Sequence, residues 1–288
     1  MNHTDDLKTL AIHMGVDLIG IASVDRFENA PNEGKPQYYM HDAKSVVVIG
    51  SRVLETMCNV HGSYEELGKT IGPYIWYGYA VMNWSLSWIA IQLSKTLEEK
   101  GYKALPFPPT GFIYRDSQKG LPDFYHKHAA VAAGLGEFGL NGLLLTPQFG
   151  ARQRIVSIIT NAPLEPDPMY NGSRLCNPKE CNNTCIKICP MKAFDNKNIS
   201  VNIGGKIYEY RVLDSLLCRW TSIGGKYLRG IEGFPRYPNR KQIDELITNN
   251  GGMAKIIERL NSTDKKLQQF TFAPTCGACM TKCRAPWK

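Results

Sequence analysis

The sequence predicts a mixed α+β fold, an α/β arrangement in which helices and strands alternate in layers. Two continuous β-branched runs, at 44–51 (KSVVVIGS) and 154–160 (RIVSIIT), are typical of buried strands. Two other stretches, 74–100 and 122–134, have the composition and apolar spacing of helices. Because the helical and strand patterns alternate along the chain, we expect helices packed against a sheet.

Turn residues set the bounds of the remaining elements in the first half. Residues 5–15 are predicted as a helix that ends at Gly15, and 17–22 (DLIGIA) as a short strand. Residues 29–36 are rich in Pro, Asn and Gly, which favours a loop. A further strand is predicted at 102–105, where a run of prolines follows it.

A proline-rich stretch at 162–168 (APLEPDP) marks the expected domain boundary, with residues 1–168 on one side and 169–288 on the other. The second part contains an insertion at about 195–270. Inside it, Gly204-Gly205 predicts the turn of a hairpin over 201–211. One or two helices are expected at 240–260, broken at 249–252.

Composition favours a globular, soluble chain, since 43% of its residues are hydrophobic and 21% are charged. The N-terminal stretch is a polar amphipathic helix without the basic flank and apolar core of an export signal. No apolar run approaches the roughly 18 residues that would span a bilayer. We therefore expect a cytoplasmic protein that does not enter a membrane.

Positive charge is concentrated in the second part of the chain. Residues 169–288 contain 20 Lys and Arg against 9 Asp and Glu, whereas residues 1–168 contain 14 against 17. The surplus of +11 has three open interpretations: compensation of negatively charged metal clusters, docking of an acidic electron donor, or binding of RNA.

Eight of the nine cysteines fall into two sets along the sequence, and thiolates at this density are typical of soft-metal ligation. The first set is Cys176, Cys181, Cys185 and Cys189, and the second is Cys218, Cys276, Cys279 and Cys283. The last gap of the first set, C-x3-C-P, matches bacterial ferredoxins, in which the fourth cysteine ligates the other cluster. Crossed ligation predicts two [4Fe–4S] clusters. The first would be held by Cys176, Cys181, Cys185 and Cys283, and the second by Cys189, Cys218, Cys276 and Cys279.

Zinc and disulfides are the alternatives for these cysteines. Zinc sites usually pair two C-x2-C knuckles, and only Cys276 and Cys279 have that spacing. Disulfides require an oxidising compartment, and no export signal is visible in the sequence, which disfavours them. The ninth cysteine, Cys58, is expected to be a buried or half-buried thiol.

The segment Gly134-Leu-Gly-Glu-Phe-Gly139 matches the G-x-G-x-x-G pattern of dinucleotide-binding folds. Its context does not fit, because a helical segment precedes it and no acid lies about 20 residues further on. Glycines at this density still indicate a sharp turn or a close approach of the backbone to another group.

The longer segment HAAVAAGLGEFGLNGLLLTPQFGARQRIVSIITNAPLEPD resembles the signature of epoxyqueuosine reductases and cobalamin-dependent reductive dehalogenases. The resemblance is strong over 128–190 and looser elsewhere. It implies a nitroreductase-like corrinoid-binding domain followed by a ferredoxin-like domain with two [4Fe–4S] clusters. It also implies base-off cobalamin. Where epoxyqueuosine reductases carry acids, this chain has Gly120 and His126, so neither family fixes the substrate.

Candidate site residues follow from this resemblance. Tyr114 and His126 are candidate catalytic proton donors, although a packed loop aromatic and a structural histidine are the simpler interpretations. The three glycines of the G-x-G-x-x-G segment, Gly134, Gly136 and Gly139, would leave room for a flat macrocycle against the backbone. The predicted cofactor-binding residues are Gly134, Gly136, Gly139, Asn141, Gly142, Arg154 and Arg174. The set Trp76, Trp84 and Trp88 has helical spacing and is expected in the core.

The predicted function is an iron–sulfur, cobalamin-dependent reductase that passes electrons through both clusters to a corrinoid and reduces an electrophile. An epoxyqueuosine-like or halogenated compound, as a small molecule or within tRNA, would be the substrate. Ferredoxin or flavodoxin would be the low-potential donor. The alternative is a ferredoxin-like electron-transfer protein without substrate chemistry of its own.

Overall fold

The computed structural model describes residues 3–62, 72–109, 122–218, 220, 238–249, 251–252, 255 and 276–285. Its centre is a four-stranded antiparallel sheet in the order β1-β2-β6-β3. The strands are β1 (Leu18–Ser23), β2 (Ser45–Arg52), β3 (Ala104–Pro106) and β6 (Gln153–Thr160). A mixed fold is therefore confirmed, and each sheet strand overlaps a strand expected from the sequence.

Strand β2 lies between β1 and β6, and its first six residues are buried. Val46 and Val48 contact one side of the core, while Val47 and Ile49 contact the other. Burial on both faces explains the continuous apolar run, which is usual in parallel sheets but here belongs to an antiparallel one.

Helices cover both faces of the sheet. On one face lie α1 (His3–His13) and the long α5 (Met82–Glu99), which contributes Leu86, Leu93 and Leu97 to the core. On the other face lies α6 (His126–Ala132), whose alanines are fully buried. Between β1 and β2 runs the short α2 (Pro36–Tyr39), and α3 (Glu55–Gly62) follows β2.

The predicted helix at 74–100 is confirmed, with one irregularity. It begins as α4 (Gly72–Ile75), passes through a π-helical turn at Trp76–Val81 and continues as α5. The expectation that its tryptophans belong to the core is wrong: Trp76, Trp84 and Trp88 are 43%, 45% and 64% exposed. The aliphatic residues of the helix occupy the face toward the sheet, which leaves these rings on the outside.

Two short hairpins and a set of small helices complete the described structure. Strands β4 (Glu137–Phe138) and β5 (Leu144–Leu145) pair with each other, as do β7 (Phe194–Ile203) and β8 (Lys206–Leu213). The second hairpin turns at Gly204-Gly205, as expected, and both glycines have positive φ. The remaining helices are α7 (Thr184–Lys187), α8 (Arg240–Asn249) and α9 (Ala278–Thr281).

The two parts of the chain share apolar clusters across the expected boundary. Ile203 and Tyr208 of the second hairpin pack in the same cluster as α6 and Phe138. Asp167 lies within the boundary stretch, accepts a hydrogen bond from the Ile21 amide (2.8 Å) and pairs with Lys8. The boundary stretch is thus attached to the sheet, and the division into two domains stays a prediction.

Candidate functional site

The first thiol group consists of Cys176, Cys181, Cys185 and Cys283, which all line one cavity of about 540 Å³. The chain's last described segment therefore meets the 176–185 segment in space. Burial, together with the neighbouring Cys283, Cys176 and Cys181, raises the pKa of Cys185 to about 12. These mutual effects agree with four sulfur atoms that face a shared space.

Local backbone geometry presents these sulfur atoms. Asn182 and Asn183 both adopt left-handed φ, near 52° and 53°, which turns the chain sharply into α7. Cys185 lies on α7 and is buried. The Leu140 amide donates a hydrogen bond to the Cys176 sulfur (3.3 Å), and the Ala285 amide donates to the Cys283 sulfur (3.5 Å).

The second thiol group consists of Cys189, Cys218, Cys276 and Cys279. Burial raises the pKa of Cys279, and four thiols raise it further: Cys218, Cys276, Cys185 and Cys189. Burial likewise raises the pKa of Cys218 to about 11, with contributions from Cys276 and Cys189. The two groups lie next to each other, because α7, which carries Cys185, contacts α9, which carries Cys279.

The chemistry of these donors fits iron–sulfur clusters. Adjacent buried thiols resist ionisation, so four thiolates in one place need bound cationic metal to be stable. No three His, Cys, Asp or Glu side chains within the described ranges converge on one point that could hold a single metal ion. A cubane does not need such convergence, because each thiolate ligates a different iron.

Four polar side chains from the first part of the chain hold the cysteine-bearing segments. Glu137 accepts hydrogen bonds from the amides of Leu175 (2.7 Å) and Cys176 (3.2 Å). The other three side chains hydrogen-bond to backbone carbonyl oxygens. Arg152 donates to Cys283 (2.9 Å) and Asn141 donates to Cys279 (3.3 Å). His61 Nε2 lies 2.7 Å from the carbonyl oxygen of Cys276.

Sequence reasoning missed His61, Glu137 and Arg152, because nothing in their local pattern indicates a partner more than 35 residues away. Asn141 was expected to contact the cofactor. It instead joins the turn after the glycines to the second thiol group, through the Cys279 carbonyl. The only available signal was the position of Glu137 and Asn141 inside a glycine-rich motif.

A second cavity, of about 400 Å³, has a lining that shares no residue with the first. Met280, which follows Cys279, forms part of its wall. The wall also contains two cations, Lys127 and Arg154, and two histidines, His126 and His128. Lys127 is exposed in this wall, and partial desolvation lowers its pKa, while Cys279 and Cys218 oppose the shift.

Arg154, on strand β6, is held in place by α5 and the π-helical turn before it. Its Nε donates to Asn83 Oδ1 (2.9 Å), and its guanidinium lies 4.4 Å from the centroid of the Tyr79 ring. Arg154 was predicted to contact a corrinoid amide or a phosphate, and its place in the cavity wall is compatible with either. Cationic donors suit a ligand with carbonyl oxygens along its edge, as a corrinoid has in its amide side chains.

His126 makes a structural contact with each ring nitrogen. Its Nε2 lies 2.8 Å from the Pro108 carbonyl, which can only accept, so Nε2 carries the proton. Its Nδ1 then accepts from the Ser157 hydroxyl (2.9 Å). Burial lowers the pKa of His126 to about 4, so the ring is neutral near pH 7. Both ring nitrogens are engaged in hydrogen bonds within the protein, so the catalytic role predicted for His126 would require one of these contacts to open.

His128 contacts the opposite side of the cavity. Its Nε2 lies 3.0 Å from the Tyr210 hydroxyl on β8, and burial lowers its pKa to about 4. Its Nδ1 is buried without a hydrogen-bond partner within the described part of the chain. The two histidines thus point to different strands although they line the same cavity.

The glycine segment serves protein packing. A side chain at Gly136 would place its Cβ 1.9 Å from the Leu145 carbonyl oxygen, and one at Gly134 would lie 2.1 Å from that of Pro168. A Cβ at Gly139 would meet the side chain of Asn141, and one at Gly142 would meet Tyr210. The argument that these glycines leave room for a macrocycle is therefore wrong, since protein atoms fill that space.

The other predicted residues have separate positions. Gly139, Asn141 and Arg174 line the cavity of the first thiol group, away from the second cavity. Cys58 is fully buried, as expected, and burial raises its pKa to about 11. Tyr114 and Gly120 lie outside the described residues.

Within the described ranges, no helix combines the length and the apolar character needed to cross a membrane.

No protein-family model matches the chain. Curated relatives match parts of it. Tetrachloroethene reductive dehalogenase of Dehalobacter restrictus is 36% identical over 114 residues, which are 38% of this chain and 17% of the relative. Epoxyqueuosine reductase of Listeria monocytogenes is 44% identical over 61 residues, 21% of this chain and 15% of the relative.

Solved structures show the same two groups. Epoxyqueuosine reductase from Streptococcus thermophilus aligns with a TM-score of 0.53 and 17% identity, over 99% of this chain and 66% of that one. A catabolic reductive dehalogenase in complex with 3-bromo-4-hydroxybenzoic acid aligns with a TM-score of 0.54 and 15% identity, over 96% of this chain and 37% of that one. The expected resemblance to both groups is confirmed. This chain spans under a fifth of the two curated relatives' length.

Proposed function

We propose that this protein is an iron–sulfur, corrinoid-dependent reductase. The observation that carries the proposal is the arrangement of its sites: two adjoining groups of four cysteines, followed by a cavity with cationic and imidazole walls. The partial similarity to reductive dehalogenases and epoxyqueuosine reductases supports this chemistry. The division into a corrinoid-binding part (1–168) and a ferredoxin-like two-cluster part (169–288) belongs to the same proposal.

Each cysteine group would hold one [4Fe–4S] cluster, and such clusters carry single electrons at potentials down to about −700 mV. A corrinoid bound in the second cavity would supply low-potential cobalt chemistry that side chains lack. Arg154 and Lys127 would orient its polar edge. His126 would keep its neutral ring between Pro108 and Ser157, as part of the wall.

The first experiment counts metals. Protein purified without oxygen should contain about eight irons and eight labile sulfides per chain. One tightly bound zinc without sulfide would overturn the iron–sulfur assignment. The cobalt content and the absorption spectrum of the same sample report on the corrinoid.

The second experiment tests the cavity. Added cob(II)alamin should bind base-off, so that its EPR spectrum lacks nitrogen superhyperfine splitting. Arg154→Met should weaken binding about tenfold, because it removes a braced donor from the wall. Arg52→Met is the matched control, since Arg52 is an exposed cation on the same sheet. Equal weakening by both variants would place the corrinoid elsewhere.

One observation favours a second candidate function, a ferredoxin-like protein that reduces another protein's corrinoid. The glycine segment, whose signature motivated the cobalamin assignment, is filled by protein atoms. Wild-type protein with both clusters that does not bind cob(II)alamin would support this candidate.

The substrate we propose is an electrophile of the halogenated or epoxyqueuosine-like class, presented as a small molecule or within tRNA. A tRNA complex would weaken steeply with salt, because phosphate contacts release counterions. The proposed electron donor is a low-potential carrier such as ferredoxin or flavodoxin.

A further inference from the structure

The segments that carry the cysteines also carry a group of exposed cations, which we call the basic rim. The 169–192 and 276–285 segments, which carry seven of the eight grouped cysteines, contain six basic residues and one acidic residue, Glu180. All six basic residues are exposed. Arg174, Arg284 and Glu180 line the mouth of the 540 Å³ cavity. The basic rim consists of Arg174, Lys179, Lys187, Lys192, Lys282 and Arg284.

The rim cations have no carboxylate partners within the described ranges. Lys187 donates to the amide oxygen of Asn182, which leaves its charge unbalanced. Some exposed cations elsewhere are paired, such as Lys103 with Asp42 (2.9 Å) and Arg240 with Asp214 (2.8 Å). Unpaired like charges on one surface repel one another, and an acidic partner would relieve that repulsion.

Local compensation of cluster charge accounts for only part of the rim. Arg174 and Arg284 line the cavity of the first thiol group, whereas the other four rim cations do not. Those four cations are Lys179, Lys187, Lys192 and Lys282, and their side chains are exposed to solvent.

We propose that the basic rim is the docking surface for an acidic one-electron carrier protein, which would approach the first thiol group there. This inference rests on the proposed function, in which that group holds a cluster. A protein partner is favoured over RNA because the described parts of these two segments contain no exposed aromatic side chain on which bases could stack. Tyr170 is half-buried, and its hydroxyl donates to the Ser173 carbonyl (2.7 Å).

The test uses purified acidic flavodoxin as the probe and the complete chain with its clusters. Binding is measured by calorimetry at low and at moderate salt, and cluster reduction by stopped-flow absorbance. The rim variant Lys179→Glu/Lys187→Glu should weaken flavodoxin binding about tenfold or more and remove most of its salt dependence. The control variant Lys95→Glu/Lys197→Glu has the same change in net charge at exposed positions outside the rim and should bind as wild type does.

Dithionite reduction and iron counts separate this inference from the proposed function. Equal iron content and equal reduction by dithionite in all three proteins, with flavodoxin binding lost only in the rim variant, support the docking surface. Equal binding by rim and control variants would overturn it. So would a rim variant that binds flavodoxin normally but loses affinity for an RNA stem-loop. Absence of iron from wild type would overturn the proposed function, whereas flavodoxin binding would still report on the rim.

Discussion

The sheet region and the cysteine region of this protein are stabilised in different ways. The sheet buries apolar side chains on both faces, and Val47, Ile158 and Leu93 have no exposed surface. The cysteine region has short helices, left-handed turns and sulfur atoms around a cavity. It is attached to the first part by polar contacts, such as those of Glu137 and Arg152, and by an apolar cluster in which Leu175 and Met280 pack with Leu145.

This difference implies two stages of stability. Apolar burial stabilises the sheet without any ligand, at about 25 cal/mol per Å² of apolar surface removed from water. The cysteine region, in contrast, brings together thiols that resist ionisation, so metal binding contributes to its folding. Damage to the sheet should therefore disrupt both regions, whereas damage to the cysteine region should leave the sheet folded.

Gly136→Val should have the largest effect. Its Cβ would overlap the Leu145 carbonyl oxygen, and backbone cannot move aside as a flexible side chain can. We expect a loss of about 3 kcal/mol in the free energy of unfolding, together with loss of both clusters, measured by denaturant titration and iron counts. Gly72→Ala is the control, since nothing lies within 4 Å of its Cβ. A stable Gly136→Val protein would show that this hairpin can rearrange.

Cys181→Ser and Cys279→Ser should separate the two regions. Each substitution removes one ligand from one thiol group, so iron should fall from about eight to about four per chain. Far-UV circular dichroism should keep the signal of the sheet. Retention of all eight irons in either variant would refute the assignment of that cysteine as a ligand.

Arg152→Met should loosen the attachment between the regions. It removes the hydrogen bond to the Cys283 carbonyl, at a cost of about 2 kcal/mol for a charged donor. We expect faster loss of iron to a chelator, with the midpoint of sheet unfolding lowered less than in Gly136→Val. Arg52→Met, at an exposed pair, serves as the control. An unchanged rate of iron loss would mean that the cysteine region retains its clusters without this hydrogen bond.

Acid should produce the smallest effect. The pKa of His126 is lowered by burial to about 4, below the ordinary value of about 6.5, so the unfolded chain binds the proton first as pH falls. Stability from the neutral ring is present above about pH 6.5 and is lost between there and pH 4, by at most about 1.4 kcal/mol per pH unit. His126→Gln should show a shallower decline than wild type in this window. Identical slopes would show that His126 does not titrate as its surroundings indicate.

Much of the fold could be predicted from the sequence because its signals are local. Continuous β-branched runs predicted β2 and β6, and Gly204-Gly205 predicted a hairpin turn. The cysteine spacing likewise predicted two groups of four, since ligand sets depend on donor type and order along the chain. Their use as metal ligands stays a prediction that the iron count will test.

Other features depended on which surfaces meet. The sequence alone did not determine that the sheet is antiparallel, that the tryptophans lie outside, or that Gly136 faces Leu145. It also gave no indication that His61 and Arg152 hold the segments of Cys276 and Cys283, more than 100 residues away. Strand direction, helix orientation and long-range hydrogen bonds are decided by tertiary packing. A local pattern specifies which face of an element is apolar but does not specify what covers it.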